Sequence, residues 1–83
     1  MTEQDILDLF TGTLRDLLAD DSIVLTAETT RADVPGWDSF NYINFIAVVE
    51  MELKIRFNIA QVESFENVGA IVRCASALLA AQR

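Results

Sequence analysis

The sequence predicts an all-α fold, a four-helix bundle of three long helices and one short helix, with a long ordered loop between helices 1 and 2. Apolar residues recur at intervals of three and four in three separate segments, which is the spacing of one face of an α-helix. A residue suited to an N-cap precedes each segment: Thr2, Asp38 or Ser39, and Asn67. The 83 residues suffice for one domain, residues 1–83, with one modest core.

The first helix is expected to run from about residue 3 to residue 19. Its core face consists of six apolar residues, Ile6, Leu7, Phe10, Leu14, Leu17 and Leu18. Gly12 interrupts this helix at a cost of about 1 kcal/mol relative to alanine. Either another element approaches closely at Gly12, or the position merely tolerates glycine.

Residues 19–38 show no helical periodicity and are predicted to form the long loop. Five apolar residues should hold it against the bundle and keep it ordered: Ile23, Val24, Leu25, Val34 and Trp37. A small α/β arrangement is the structural alternative. Residues 23–25 could form a short strand, and Ile55, Phe57 and Ile59 alternate with polar residues as a second strand would.

The second helix, from about Ser39 to Leu53, carries two apolar stripes. The core stripe is Tyr42, Phe45, Ile46, Val49 and Leu53. The second stripe is Phe40, Ile43, Ala47 and Met51. Either the bundle covers this second stripe, or its residues are exposed singly as apolar residues often are, or it is an open face for partner proteins.

The C-terminal part of the chain is predicted to contain the other two helices. A short third helix spans residues 59–65, and Asn67 caps the fourth. The apolar face of the fourth helix consists of Val68, Ile71, Val72, Ala75, Leu78 and Leu79. There are no repeats or linkers, so the chain is either a discrete protein or an excised domain.

Composition excludes several classes of function. There are 13 acidic and 6 basic residues, and a net charge of −7 repels nucleic acids and anionic lipid surfaces. Cys74 is the single cysteine and there is no histidine, so neither a disulfide nor a zinc or haem site is expected, and Cys74 is predicted to be a small buried thiol. No apolar run approaches the ~20 residues of a membrane span and no signal sequence is evident, so we expect no membrane insertion and a cytoplasmic location.

Ser39 is the most informative residue, because it lies where a polar segment gives way to the most apolar helical run. A serine at a helix start presents its hydroxyl outside the helix, and the free N–H groups of the first turn favour a phosphate. Without a histidine to take its proton, Ser39 is not an activated nucleophile. Any chemistry at Ser39 must therefore be done by another enzyme, unless Asp38 or Ser39 is simply a helix cap.

Three segments of the chain together form a known layout. They are residues 36–40, with the sequence Gly-Trp-Asp-Ser-Phe, the short extended segment 54–57, and residues 66–69, with the sequence Glu-Asn-Val-Gly. In this layout the chain resembles the acyl carrier and peptidyl carrier protein family over nearly its whole length, although the family more often has leucine after the serine. Glycine is common in the family at the position of Lys54, and threonine at the position of Asn67.

The resemblance implies that Ser39 receives a 4'-phosphopantetheine arm from coenzyme A through a phosphopantetheinyl transferase. Asp38 would cap the helix, help to hold the metal and phosphate of coenzyme A during the transfer, or do both. The arm would carry acyl or aminoacyl units as thioesters in a polyketide, fatty-acid or nonribosomal peptide-type pathway. The protein would be a carrier for loading and processing enzymes, with no catalytic residue of its own.

Partner recognition is expected to differ from the pattern common in that family, where acidic residues line helix two. Nine of the thirteen acidic residues lie at or before Asp38, and the first turns of helix two are neutral. We therefore expect partners to recognise shape and polarity around Phe40, Asn44, Ala47 and Met51 more than charge.

Two other functions remain as alternatives. The chain could be a helical protein-interaction module without a prosthetic group, with its second stripe bound in a partner's groove. A small enzyme acting through Asp20, Asp21 and Asp38 has little support, because carboxylates in a loop are usually solvated.

Overall fold

The computed structural model describes residues 1–82, which form four α-helices. They are α1 (Glu3–Leu18), α2 (Ser39–Leu53), α3 (Ile59–Ser64) and α4 (Val68–Ala81), with one 3-10 turn at Arg31–Asp33 in the loop before α2. Helix α1 packs against both α2 and α4. These residues contain no strand. The all-α prediction is therefore confirmed, and the α/β alternative is wrong.

Each helix begins at a side-chain cap. At α1, Thr2 Oγ1 accepts a hydrogen bond from the Asp5 backbone N–H at 3.1 Å, and the Asp5 carboxylate accepts one from the Thr2 N–H at 2.9 Å. Hydrogen bonds to the Asp5 carboxylate from the backbone and side chain of Thr2 lower the pKa of Asp5 below its usual value. Asn58 caps α3 through the same kind of reciprocal pair, with Gln61, whereas Asn67 caps α4 only by accepting a hydrogen bond from the Ala70 N–H.

The core lies between the apolar faces that the periodicity predicts. All five residues of the α2 core stripe are buried, and so are Ile6, Phe10 and Leu14 of α1. Phe10 and Phe45 contact each other edge to face, with ring centroids 5.2 Å apart. Cys74 is half-buried rather than fully buried, and desolvation raises the pKa of its thiol.

The long loop is ordered because it contacts the bundle with both side chains and backbone. Ile23, Leu25, Val34 and Trp37 are buried as predicted. Val24 is 69% exposed, so its predicted anchoring role is wrong. Neighbouring residues of an extended segment point in opposite directions, and Ile23 and Leu25 on either side of Val24 take the inward positions.

Backbone carbonyls of this loop complete the N-terminus of α4. The N–H of Val68 donates to the carbonyl of Thr29 at 2.8 Å, and the N–H of Gly69 donates to the carbonyl of Ala27 at 2.8 Å. The first N–H groups of a helix have no acceptor within it, so the loop supplies the acceptors that α4 lacks.

The structure answers two questions about single backbone positions, Gly12 and Lys54. A Cβ atom at Gly12 would meet nothing within 4 Å, so Gly12 is tolerated and no other element requires it. Lys54 ends α2 in the left-handed conformation, with φ 55° and ψ 44°, at a position where glycine would cost less.

Candidate functional site

Asp38 and Ser39 have distinct positions at the start of α2. Asp38 is the N-cap, and its Oδ1 accepts a hydrogen bond from the Asn41 backbone N–H at 2.9 Å. Ser39 is the first residue inside the helix and is exposed. Of the two residues considered as the cap, Asp38 is therefore the cap, and the Ser39 hydroxyl takes no part in capping.

The turn before α2 fixes which side chains face inward. Gly36 adopts φ +86°, and its carbonyl accepts a hydrogen bond from the Asn41 side-chain amide at 2.9 Å. Trp37 is only 4% exposed and contacts the rings of Tyr42 and Phe45. Two residues later the chain has turned outward, which leaves Ser39 on the surface.

A groove of about 400 Å³ lies beside Ser39, between α2, the α3 region and the start of α4. Its apolar wall includes Trp37, Tyr42, Ile43, Val62, Phe65 and Ile71. Arg31, Glu63 and Glu66 add charged groups to its lining. Sequence reasoning missed this groove, because its wall comes from four segments that periodicity treats separately.

Tyr42 connects the elements around the groove. Its hydroxyl donates to the Val62 carbonyl at 2.7 Å, which ties α2 to α3. The Arg31 guanidinium carbon lies 4.8 Å from the centre of the Tyr42 ring, within the range of a cation–π contact. Burial raises the pKa of Tyr42 against the smaller opposite effect of Arg31, so the phenol is neutral at physiological pH.

The second stripe of α2 is exposed. Phe40 is 74% exposed, Ile43 58% and Met51 76%, and Ala47 is also exposed. Asn44 is half-buried. The possibility that the bundle covers this stripe is therefore wrong, and an apolar face begins one residue after Ser39.

Asp20 and Asp21, the loop residues considered as catalytic acids, lie just after α1. Asp20 accepts hydrogen bonds from the side chain and backbone of Ser22, and these lower the pKa of Asp20. Asp21 is exposed. Within residues 1–82, no three side chains of the metal-binding types come together as a metal site. None of the helices described for this chain has the length and hydropathy that crossing a membrane requires.

Comparison with known proteins identifies the family. No protein-family model matches the chain, and no curated protein matches it significantly. Among solved structures, the chain is similar to the solution NMR structure of a holo acyl carrier protein from Geobacter metallireducens, with a TM-score of 0.86 and 36% sequence identity. The similarity covers 93% of this chain and 88% of the other. The chain belongs to the acyl carrier protein family.

Membership in the acyl carrier protein family assigns the chain the role of a carrier rather than a catalyst. It also confirms the resemblance predicted from residues 36–40, 54–57 and 66–69. The four-helix architecture is shared across almost the whole of this acyl carrier protein.

Proposed function

We propose that Ser39 is the attachment point of a 4'-phosphopantetheine arm, which a phosphopantetheinyl transferase supplies from coenzyme A. The carrier then holds acyl or aminoacyl units in polyketide, fatty-acid or nonribosomal peptide-type biosynthesis. The observation that supports this proposal is the exposed Ser39 at the first position of α2, in a chain that belongs to the acyl carrier protein family.

The residues around Ser39 fit such a group. Its phosphate would lie at the N-terminus of α2, where free backbone N–H groups and the positive end of the helix dipole favour negative charge. Four segments of the chain contribute to the apolar wall of the adjoining groove. When attached, the arm supplies the thiol on which a thioester forms.

Ser39 and Asp38 would have separate roles in the transfer. Ser39 Oγ forms the new bond to phosphorus, the pyrophosphate bond of coenzyme A breaks, and adenosine 3',5'-bisphosphate leaves. The serine proton goes to a base of the transferase, because this chain has no histidine. Asp38 uses Oδ1 as the helix cap, and Oδ2 is the oxygen that would help to hold the metal and phosphate.

Partner enzymes would bind the surface around Phe40, Asn44, Ala47 and Met51. Exposed apolar area next to the attachment point allows a partner to bury Phe40 and Met51 while the arm reaches its active site. Covalent attachment keeps the cargo at high effective concentration during each such encounter.

Intact-mass measurement tests the attachment point. The chain is incubated with coenzyme A and a promiscuous phosphopantetheinyl transferase, alongside Ser39→Ala and a control, Ser64→Ala. Ser64 is also exposed, but its hydroxyl donates to the Gln61 carbonyl within α3. We expect one added arm on the wild type and on Ser64→Ala, and none on Ser39→Ala.

The same experiment distinguishes a carrier from the remaining alternative function. A folded wild-type chain whose mass stays unchanged would favour the helical interaction module without a prosthetic group. An added mass that persists in Ser39→Ala would place the arm on another residue.

A further inference from the structure

The indole N–H of Trp37 is a buried donor without a partner. Trp37 is 4% exposed, and within residues 1–82 its Nε1 is the single buried side-chain nitrogen or oxygen that lacks a hydrogen bond. Leaving a buried donor unpaired costs about 1–3 kcal/mol. Buried polar groups are almost always paired in native proteins, so an unpaired one calls for an explanation.

Trp37 also lines the groove beside Ser39. The other polar group on the apolar wall, the Tyr42 hydroxyl, is not available as a donor, because it donates to the Val62 carbonyl at 2.7 Å. The Arg31 guanidinium lies over the Tyr42 ring. Among the side chains of this apolar wall, the indole N–H is thus the one buried donor without an acceptor.

The donor and its surroundings define the chemistry of a matching ligand. An indole nitrogen only donates, so its partner must be an acceptor. An apolar wall disfavours a buried charge. The carboxylates of Glu63 and Glu66 outnumber the single cation Arg31 in the lining, so the formal charge of the lining is negative and disfavours an anion. A neutral carbonyl oxygen on a largely apolar chain satisfies both conditions.

We propose that Trp37 Nε1 donates a hydrogen bond to a carbonyl oxygen of the group attached at Ser39 when that group folds back into the groove. This inference rests on the proposed attachment at Ser39. The carbonyl belongs either to an amide of the arm or to the acyl unit. Because Nε1 is covered in the structure, the lining side chains must move apart as the carbonyl enters. When the acceptor is a carbonyl of the acyl chain beyond the thioester, Trp37 is a specificity-determining residue, which favours such chains over plain hydrocarbon. When the acceptor is the thioester carbonyl or an arm amide, Trp37 is a positioning residue for the attached group whatever the chain.

Trp37 is the single tryptophan of the chain, so its indole gives one signal in a ¹H–¹⁵N NMR spectrum. Four forms are compared after intact mass has verified each one: apo, holo, holo loaded with a saturated acyl chain, and holo loaded with a 3-oxoacyl chain of equal length. We expect the indole proton to move downfield. We also expect its exchange with solvent to slow by roughly 2- to 13-fold, the value of one neutral hydrogen bond of about 0.5–1.5 kcal/mol.

The form in which the change first occurs identifies the acceptor. A change in the holo form indicates an amide of the arm, a change with the saturated chain indicates the thioester carbonyl, and a change with the 3-oxo chain alone indicates the additional carbonyl. An indole signal that is the same in all mass-verified forms would overturn the inference while leaving the attachment at Ser39 intact. Failure to add the arm would instead overturn the proposed function.

Trp37→Phe keeps an aromatic ring and removes the donor. Loaded with the chain that shifts the wild-type indole, this variant should lose its thioester to hydrolysis roughly 2- to 13-fold faster than the wild type, as one lost hydrogen bond predicts. Equal hydrolysis rates in two folded carriers would contradict the inference. The wild-type NMR comparison remains decisive if Trp37→Phe does not fold.

Discussion

At the scale of single residues, a shift of one position separates a structural role from a chemical one. Asp38 caps α2 through Oδ1, and this leaves the next residue, Ser39, exposed and outside the cap. Had Ser39 been the cap, its oxygen would have been bonded to the first turn and less available to an enzyme. The order Asp-Ser therefore favours a stable helix start and a free hydroxyl at once.

Two variants of Asp38 separate its capping role from its charge. Asparagine is as good an N-cap as aspartate, so Asp38→Asn should unfold at nearly the wild-type denaturant concentration, whereas Asp38→Ala should lose about 1 kcal/mol. Both variants should be modified by the transferase much more slowly than the wild type. Denaturant unfolding and the rate of mass addition measure the two effects. If Asp38→Asn were modified at the wild-type rate, the charge of Asp38 would not contribute to the transfer and only its capping role would matter.

Lys54 offers a second prediction about a single residue, because its left-handed conformation is strained for any side chain with a Cβ atom. Lys54→Gly should raise the free energy of unfolding by about 1 kcal/mol. Lys54→Ala is the control, since it removes the charged side chain and keeps the strain. Chemical denaturation compares the two, and an equal gain in both variants would assign the effect to charge.

At the scale of elements, the long loop is a structural partner of α4 as well as a connection to α2. Its carbonyls at Ala27 and Thr29 accept hydrogen bonds from the first N–H groups of α4. Arg15 of α1 donates to the carbonyl of Ile23 at 2.7 Å and holds the other end of the loop. The loop is thereby fixed to two helices before it reaches Trp37.

Gly69 tests this contact between the loop and α4. A Cβ atom at Gly69 would lie 2.8 Å from the Ala27 carbonyl oxygen, so Gly69→Ala must push the loop away from the helix. We expect a loss of about 1–3 kcal/mol in the free energy of unfolding. Gly12→Ala is the matched control, because open space at Gly12 should allow a gain of up to about 1 kcal/mol. Thermal or chemical unfolding measures both variants. If both substitutions changed the free energy of unfolding in the same direction, this account would be contradicted.

At the scale of the whole molecule, the acidic residues are concentrated in the first half of the sequence, and the exposed apolar stripe lies on α2. Most acidic residues lie at or before Asp38, while α2 presents Phe40, Ile43 and Met51 to solvent. The net charge of −7 is expected to disfavour binding to nucleic acids and anionic membranes. Apolar contact at α2 is therefore expected to dominate the affinity for enzymes.

The salt dependence of binding to partner enzymes distinguishes apolar contacts from charged ones. Affinity for a cognate enzyme should change little between low and moderate salt, because buried apolar contacts are not screened. Met51→Ser should weaken binding more than Glu52→Gln, a control that removes an exposed charge beside it on α2. Binding measured at two salt concentrations checks both expectations. A steep loss of affinity with salt would show that charge dominates instead.

The sequence by itself determined the features that depend on local physics. Capping and periodicity act within a few residues, so α2 was predicted with its observed bounds, its five buried residues and its exposed start. The family layout around Asp38 and Ser39 was also readable, because it is a pattern of neighbouring residues. Ser39 as an attachment point stays a prediction until the mass of the modified chain is measured.

Only the tertiary structure decided how distant segments meet. In the folded chain Val24 is exposed, Cys74 is half-buried, and no other element approaches Gly12 closely. It also built the groove beside Ser39 and left the indole N–H of Trp37 without a partner. Such features depend on which side chains approach from other elements, and that depends on how the helices and loop pack, which local spacing does not encode.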